Sequence, residues 1–215
     1  MEANISTNKR GRRRAPQFDL TGGVACLDFV NTLDDRFSSE PKELLKEYGD
    51  LARFAEDSGI LTDAQADRLA ARSVEHREEA RRALAKAVRM REAMSEVFYA
   101  VARNGAVPQS ALLTLNEFVQ EAGQHLQLVE NRRRFAWKFE DEDELDAPLW
   151  PIARSAAELL ASDQVEYVRF CASKTCEWLF LDESKNHRRR WCDMTKCGNR
   201  AKVRRFYSRR KKEGI

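Results

Sequence analysis

Residues 171–200 read CASKTCEWLFLDESKNHRRRWCDMTKCGNR, and the four cysteines in this stretch decide what the end of the chain must be. Four residues separate Cys171 from Cys176, four separate Cys192 from Cys197, and fifteen lie between the pairs. Each close pair makes a tight turn that aims two thiolates at one point. A span of hairpin length then brings the second pair to the first, which is what a tetrahedral zinc site requires. Four protein ligands leave no open position, so the expected Zn2+ is structural rather than catalytic. The competing reading is four buried free thiols. It asks a segment with few apolar side chains to fold unaided, whereas metal binding supplies on the order of 10 kcal/mol. A redox dithiol is disfavoured because neither pair is CxxC. His187 falls at the presumed hairpin tip, away from both pairs, and reads as a solvent-facing turn residue rather than a ligand.

The span between the pairs has the composition of a hairpin. Trp178–Asp182 reads as a strand, Glu183–His187 as a turn and Arg188–Trp191 as the return. Beyond Gly198-Asn199, the sequence AKVRRFYSRRKK is helical and basic. Turn, hairpin, turn and helix make a treble-clef-like order. The helix N-terminus lies at the second cysteine pair, where its dipole favours ionised thiolates. Val203, Phe206 and Tyr207 form a narrow apolar stripe expected to dock on Trp178 or Trp191. Arg200, Lys202, Arg204, Arg205, Arg209 and Arg210 remain outside. Arg188, Arg189 and Arg190 make a second basic row.

The net charge of +3 hides a separation. Residues 185–215 hold thirteen Lys/Arg against Asp193 and Glu213, a net +11. Residues 1–14 hold five basic residues against Glu2, a net +4, which leaves −12 for 15–184. A basic segment at each end of an acidic body is the footprint of a polyanion partner. Nucleic acid is the expected partner, with double-stranded DNA preferred and RNA the alternative. Exposure of Trp191, Phe206 and Tyr207 would favour base stacking on RNA, and burial would favour the duplex. Residues 1–16 read as a disordered basic arm. Arg10-Gly11-Arg12 lacks the following proline of an AT-hook core.

Upstream, helical periodicity dominates. Asp50 is read as the cap of a helix carrying Leu51, Phe54 and Ala55, with Gly59 at its end. Thr62 and Gln65 fit a capping box. The pattern stays helical to Arg103, broken near Ser73–His76, with Leu84, Val88, Met94, Val97, Phe98 and Val101 as an apolar stripe. Arg91 interrupts that stripe, its stem along the core and its head toward solvent or a carboxylate. Pro108 opens another helix, with Leu112, Leu115, Phe118 and Val119 inward and Gly123 at its end. The period then shortens to two. Leu126 and Leu128 alternate with polar residues, as do Phe135, Trp137 and Phe139, so this is a hairpin about Asn131-Arg132-Arg133. An acidic loop DEDELD follows, then a helix over 151–162, then a short extended link through Val165, Tyr167 and Phe170. Residues 18–36 fit either a helix (Leu27, Val30, Leu33) or a strand (Val24, Cys26, Asp28) after the Gly22-Gly23 turn. The fold class is α+β: a mostly helical N-terminal domain (17–165) with a small antiparallel sheet, and a zinc finger with its basic helix (166–215).

Two stretches carry a resemblance. Trp191-Cys192-x4-Cys197-Gly198-Asn199-Arg200, with Trp178-x-Phe180-x-Asp182 before it, resembles the CGNR-type zinc finger of bacterial proteins over roughly 166–212. The resemblance implies that the family's ligand cysteines fall on Cys171, Cys176, Cys192 and Cys197. Cys26-Leu27-Asp28-Phe29-Val30-Asn31-Thr32 resembles the opening motif of the ABATE domain, which commonly precedes this finger. Together they imply a stress-induced transcription regulator that binds DNA.

Asp28, Asn31, Thr32, Arg36 and Arg91 could line a small-molecule effector pocket. Equally, they could form caps and a buried hydrogen-bond network, and that reading is preferred. No catalytic triad, phosphate-cradling glycine loop or carboxylate pair is found, so no enzyme is expected. No apolar run has bilayer length and no secretory signal is evident. The expected location is cytoplasmic, on the nucleoid when bound to DNA, and a homodimer would suit a regulator.

Overall fold

The computed structural model describes residues 17–131, 133–140 and 143–213. The basic arm at 1–16, Arg132 in the expected turn, and Asp141-Glu142 of the acidic loop lie outside the described residues. The class is α+β: helices with small antiparallel strand pairs and a C-terminal four-cysteine cluster.

The ambiguous stretch is a short helix, α1 (Ala25–Val30), with Cys26 to Val30 all buried. The turn before it needs glycine. Gly23 sits at φ +87, and a Cβ on Gly22 would lie 2.8 Å from the Asp28 carboxylate oxygen. That close approach lets Asp28 Oδ1 accept the Gly22 N–H at 2.6 Å. Strand β1 (Leu33–Asp34) then pairs with β2 (Lys42–Glu43).

Helix α2 (Tyr48–Asp57) starts two residues before Asp50. Asp50 caps it from the third helical position, accepting the N–H groups of Lys46 and Glu47 at 2.8 and 3.1 Å. Gly59, at φ +74, follows its end. The Thr62–Gln65 capping box opens α3 (Asp63–Glu75), and His76 breaks the chain between α3 and α4 (Arg77–Ala102).

Then come α5 (Gln109–Gln124), the hairpin β3 (Leu126–Asn131) and β4 (Arg134–Phe139), and α6 (Leu149–Leu160). Helix α6 starts two residues before Pro151, which the first turn tolerates because its missing N–H has no helical partner there. Helix α4 packs against α1, α2, α3, α5 and α6. Its buried face is Ala80, Ala83, Ala87, Met90, Met94, Val97 and Phe98. The expected Leu84 and Val88 are only half-buried, because each lies one position past a buried alanine, Ala83 or Ala87, at the edge of the inward stripe.

The hairpin of the cysteine module differs from expectation. Its strands are β5 (Val168–Phe170) and β6 (Leu179–Leu181), antiparallel, with Val168 opposite Leu181. Arg188–Trp191 is not a strand but an irregular return, tied in by the Ala172 N–H to Arg190 carbonyl bond at 2.9 Å. The first cysteine pair thus sits in the loop of the hairpin instead of before it. A wide π-type turn (Met194–Gly198) leads into α7 (Asn199–Glu213).

Strand β6 is a shared wall. Leu179 and Leu181, with Val168, join the core of the helical body, while Phe180 points the other way into the cysteine cluster with Trp178 and Trp191 packed around it. Alternation along one strand therefore supplies both cores.

Candidate metal centre and basic face

The four cysteine Sγ atoms lie within 4.8 Å of one another, and all four residues are buried. Cys176 and Cys192 are 3.5 Å apart and Cys192 and Cys197 3.7 Å. A tetrahedron with metal–sulfur bonds of about 2.3 Å has edges of about 3.8 Å, so the cluster has the dimensions of a zinc–tetrathiolate site. The separations are far from the roughly 2.05 Å of a disulfide, and the cysteines are free. His187 stands apart: its ring stacks on Tyr167 at 3.7 Å and its Nδ1 lies 2.7 Å from the Asp182 carbonyl.

Local sequence explains how each thiol is aimed. In the first turn, Cys176 and Glu177 donate their N–H groups to the Ser173 carbonyl at 2.9 and 3.1 Å, with Glu177 at φ +54. Cys171 N–H donates to the Trp178 carbonyl at 2.8 Å. In the second turn, Asp193 Oδ1 accepts from Thr195 N–H at 2.6 Å, Thr195 hydroxyl at 2.7 Å and Lys196 N–H at 3.2 Å. The Thr195 hydroxyl and these amides hold the Asp193 carboxyl below the usual range. Asn199 clips the same turn through the Thr195 carbonyl at 2.9 Å.

Arg200 donates to Cys197 Sγ at 3.0 Å. A cation held against a ligating sulfur offsets the negative charge of four thiolates and orients the ligand. Cys171, Cys176 and Cys192 titrate as a linked group. Hydrogen bonds from Cys176 and Cys192 favour a thiolate at Cys171, and bonding to Cys171 pushes Cys176 up and Cys192 up to about 12. Such a donor set suits a divalent cation that neutralises it.

The basic residues divide into two groups. Arg200 serves the sulfur, and Arg204 reaches the Ser173 hydroxyl at 3.2 Å. Arg189 donates to the carbonyls of Trp191 and Cys192 and lies 4.6 Å over the Phe180 ring. Arg190 stacks over Trp191 and Arg210 over Phe206. Arg188, Lys202 and Arg205 are exposed and make no hydrogen bond or ion pair among the described residues. The side chain of Arg209 lies outside the described residues. The expected docking of Val203, Phe206 and Tyr207 does not occur: they are 53%, 56% and 64% exposed. The Phe206 and Tyr207 rings instead pack edge-on against each other, centroids 5.6 Å apart. Trp191 is half-buried.

Sequence reading missed Asp182, which is 0% exposed. Its Oδ1 accepts from the Ser184 hydroxyl and amide at 2.6 and 3.1 Å, and its Oδ2 from Arg189 N–H at 2.8 Å. Burial opposes its ionisation, but these bonds outweigh it and hold the carboxyl below the usual range. It folds the whole 182–189 loop. Its place in the Trp-x-Phe-x-Asp stretch was the available signal.

The residues considered for an effector pocket are bonded internally. Asp28 holds Gly22. Asn31 clamps Leu179, accepting from its N–H and donating to its carbonyl, both at 2.9 Å. Thr32 donates to the Phe29 carbonyl at 2.7 Å and receives Arg91 at 3.3 Å. Arg91, 2% exposed, forks onto both carboxylate oxygens of Glu43 at 2.6 and 2.7 Å. Arg36 pairs with Glu92. A cleft of about 880 Å³ lies instead beside the cysteines, its lining including Asp19, Asp34, Lys42, Trp178, Arg200 and Arg204. None of Asp28, Asn31, Thr32 and Arg91 lines it.

A helical body and a four-cysteine finger sharing one strand define a two-part protein with a candidate metal-binding site. The chain belongs to the ABATE family, described as "Putative stress-induced transcription regulator", whose model matches residues 23–163. The CGNR zinc finger model matches residues 168–210. No curated protein sequence matches the chain. Among the described residues, no helix is long and apolar enough to cross a membrane.

Proposed function

We propose that this protein is a zinc-dependent nucleic-acid-binding regulator, with duplex DNA as its target and Zn2+ held by Cys171, Cys176, Cys192 and Cys197. The carrying observation is the set of free cations Arg188, Lys202 and Arg205. These cations are exposed and unpaired among the described residues, Arg188 on the irregular return and Lys202 and Arg205 on α7, whose like charges repel unless a polyanion relieves them. Zinc orders the turns from which the return segment and α7 project, so metal and phosphate binding are linked. The body (17–165) senses an effector or mediates self-association, and the cleft beside the cysteines supports the first role. The reading is non-catalytic, and action on DNA puts the protein in the cytoplasm, on the nucleoid.

RNA is the second reading, favoured by the exposed rings of Phe206 and Tyr207, which could stack on unpaired bases. A single experiment addresses both. Fluorescence anisotropy of the zinc-loaded chain is measured with duplex DNA and with single-stranded RNA. Changing Lys202 and Arg205 together to Glu should abolish binding to the preferred target. Unchanged affinity removes α7 as the reader. A larger loss on RNA than on DNA from Phe206→Ala with Tyr207→Ala selects the second reading.

A further inference from the structure

Three of the four clustered cysteines line cavities, and the fourth does not. The cleft of about 880 Å³ reaches Cys176, Cys192 and Cys197. A cavity of about 140 Å³, lined also by Phe37 and Lys174, ends on Cys176. Another of about 460 Å³, beside Met194, ends on Cys192. Cys171 lines none of these three. Each has room for several water molecules, so a small peroxide fits. Exposure follows the same order: Cys176 is 8% exposed, Cys192 3%, Cys197 2% and Cys171 1%.

The three reachable sulfurs are not equivalent nucleophiles. Arg200 donates to Cys197 Sγ at 3.0 Å. A guanidinium held on a thiolate lowers its basicity, and nucleophilicity falls with it. Among the described residues no arginine or lysine donates to Sγ of Cys176 or Cys192. These two Sγ atoms are 3.5 Å apart, against 3.7 Å for Cys192 and Cys197. They come from different turns, so a bond between them closes no tight loop within either turn.

We propose that Cys176 and Cys192 form an oxidation site through which hydrogen peroxide releases the metal. The Cys176 thiolate attacks one peroxide oxygen. The O–O bond breaks, hydroxide leaves, and Cys176 becomes a sulfenic acid. The Cys192 thiolate then attacks that sulfur. The S–O bond breaks, a second hydroxide leaves, and a Cys176–Cys192 disulfide remains. The two sulfurs lose two electrons, the peroxide gains them, and two protons from solvent turn the hydroxides into water. Cys171 and Cys197 are then half of a four-coordinate set, too few to retain Zn2+. The inference rests on Zn2+ at the four cysteines and not on what α7 binds.

The test treats the zinc-loaded full chain with hydrogen peroxide. Released zinc is followed with a chromogenic chelator, and disulfides are mapped by mass spectrometry of non-reduced peptides. Zinc release in step with a Cys176–Cys192 disulfide is expected, reversed by dithiothreitol with added zinc. Cys26, 0% exposed and with its thiol pushed up to about 12 by burial, should stay free. Arg200→Ala should raise the share of disulfide formed at Cys197, and an unchanged map in that variant overturns the role given to Arg200. A cluster that keeps its zinc under peroxide, or disulfides spread over all four cysteines, overturns the proposal. So does oxidation to a sulfinic acid that reductant does not reverse. Metal analysis before treatment separates this inference from the reading beneath it. A chain without zinc overturns the metal reading, and the disulfide map of the same sample still decides the pair.

Discussion

Asn31 grips the backbone of Leu179 across 148 positions of sequence, accepting its N–H and donating to its carbonyl at 2.9 Å each. The amide acts as a short third strand beside β6, joining the opening motif of the body to the wall of the metal module. Trp178 Nε1 to Asp34 at 2.8 Å and Tyr99 hydroxyl to the Glu177 carbonyl at 2.8 Å reinforce the junction.

Replacing Asn31 by Ala leaves a buried donor and a buried acceptor without partners, each costing about 1–3 kcal/mol. Urea unfolding of Asn31→Ala should show a stability loss of about 2–4 kcal/mol. Zinc affinity should fall as well, because β6 positions the first cysteine turn. An unchanged denaturation midpoint would show that the clamp is redundant.

Metal content should be one zinc per chain, measured by elemental analysis, and each of Cys171, Cys176, Cys192 and Cys197 changed to Ser should lower it. Chelation should alter the near-ultraviolet circular dichroism of Trp178 and Trp191, which pack around the cluster. The far-ultraviolet helical signal of the body should largely persist, since α4 and its neighbours have their own core. Arg200→Ala should weaken zinc binding without removing it, through loss of its bond to Cys197 Sγ.

Burial pushes the Asp28 carboxyl up from 3.8 to about 6 against the lowering effect of the Gly22 amide. The folded protein therefore holds this proton in a range where the unfolded chain has released it. Between about pH 4 and pH 6 the contribution of Asp28 to stability falls as pH rises, and its destabilising effect is complete above pH 6. Thermal melts of wild type and Asp28→Asn across this window should differ increasingly with pH, the variant gaining relative to wild type. A constant difference would place the Asp28 titration elsewhere.

Asp182→Ala should release the 182–189 loop. Amide exchange at Arg189 and Ser184 should accelerate, because both N–H groups donate to this carboxylate. Arg188 would lose its fixed position, so nucleic-acid affinity should fall with the zinc still bound.

Nucleic-acid binding should weaken steeply with salt. Changing Lys202 and Arg205 to Ala should reduce the slope of log affinity against log salt by about 2, roughly 0.9 for each lost phosphate contact on duplex DNA. Changing Arg189, which is spent on the Trp191 and Cys192 carbonyls, should act through stability and leave that slope unchanged.

Much of this was legible in the sequence because it is local. The capping box at Thr62–Gln65, the break at His76 and the alternation of β3 and β4 follow from spacing within a few residues. Four cysteines at two identical spacings state the four-thiol cluster almost completely. Arg91, reaching the carboxylate of Glu43, also obeyed its local pattern, although its burial did not follow from it. The strand pairing of the finger was misread because Arg188–Trp191 and Val168–Phe170 are both plausible partners for β6 by composition. Only packing chooses: Val168 opposite Leu181 buries both in the body, whereas three consecutive arginines beside β6 could not be buried.

The sequence by itself determined the grouping of the four cysteines, the helical character of the body and the separation of charge between body and tail. These depend on side-chain chemistry and short-range periodicity. Tertiary structure alone decided which arginines are free. Arg189, Arg200 and Arg204 look like Arg188 and Arg205 in a sequence, yet a carbonyl, a sulfur or a hydroxyl brought close by folding occupies their donors. It also decided that β6 serves two cores and that Asn31 joins them. A hydrogen bond across 148 positions leaves no mark on either neighbourhood, because its partner is a backbone that every residue carries.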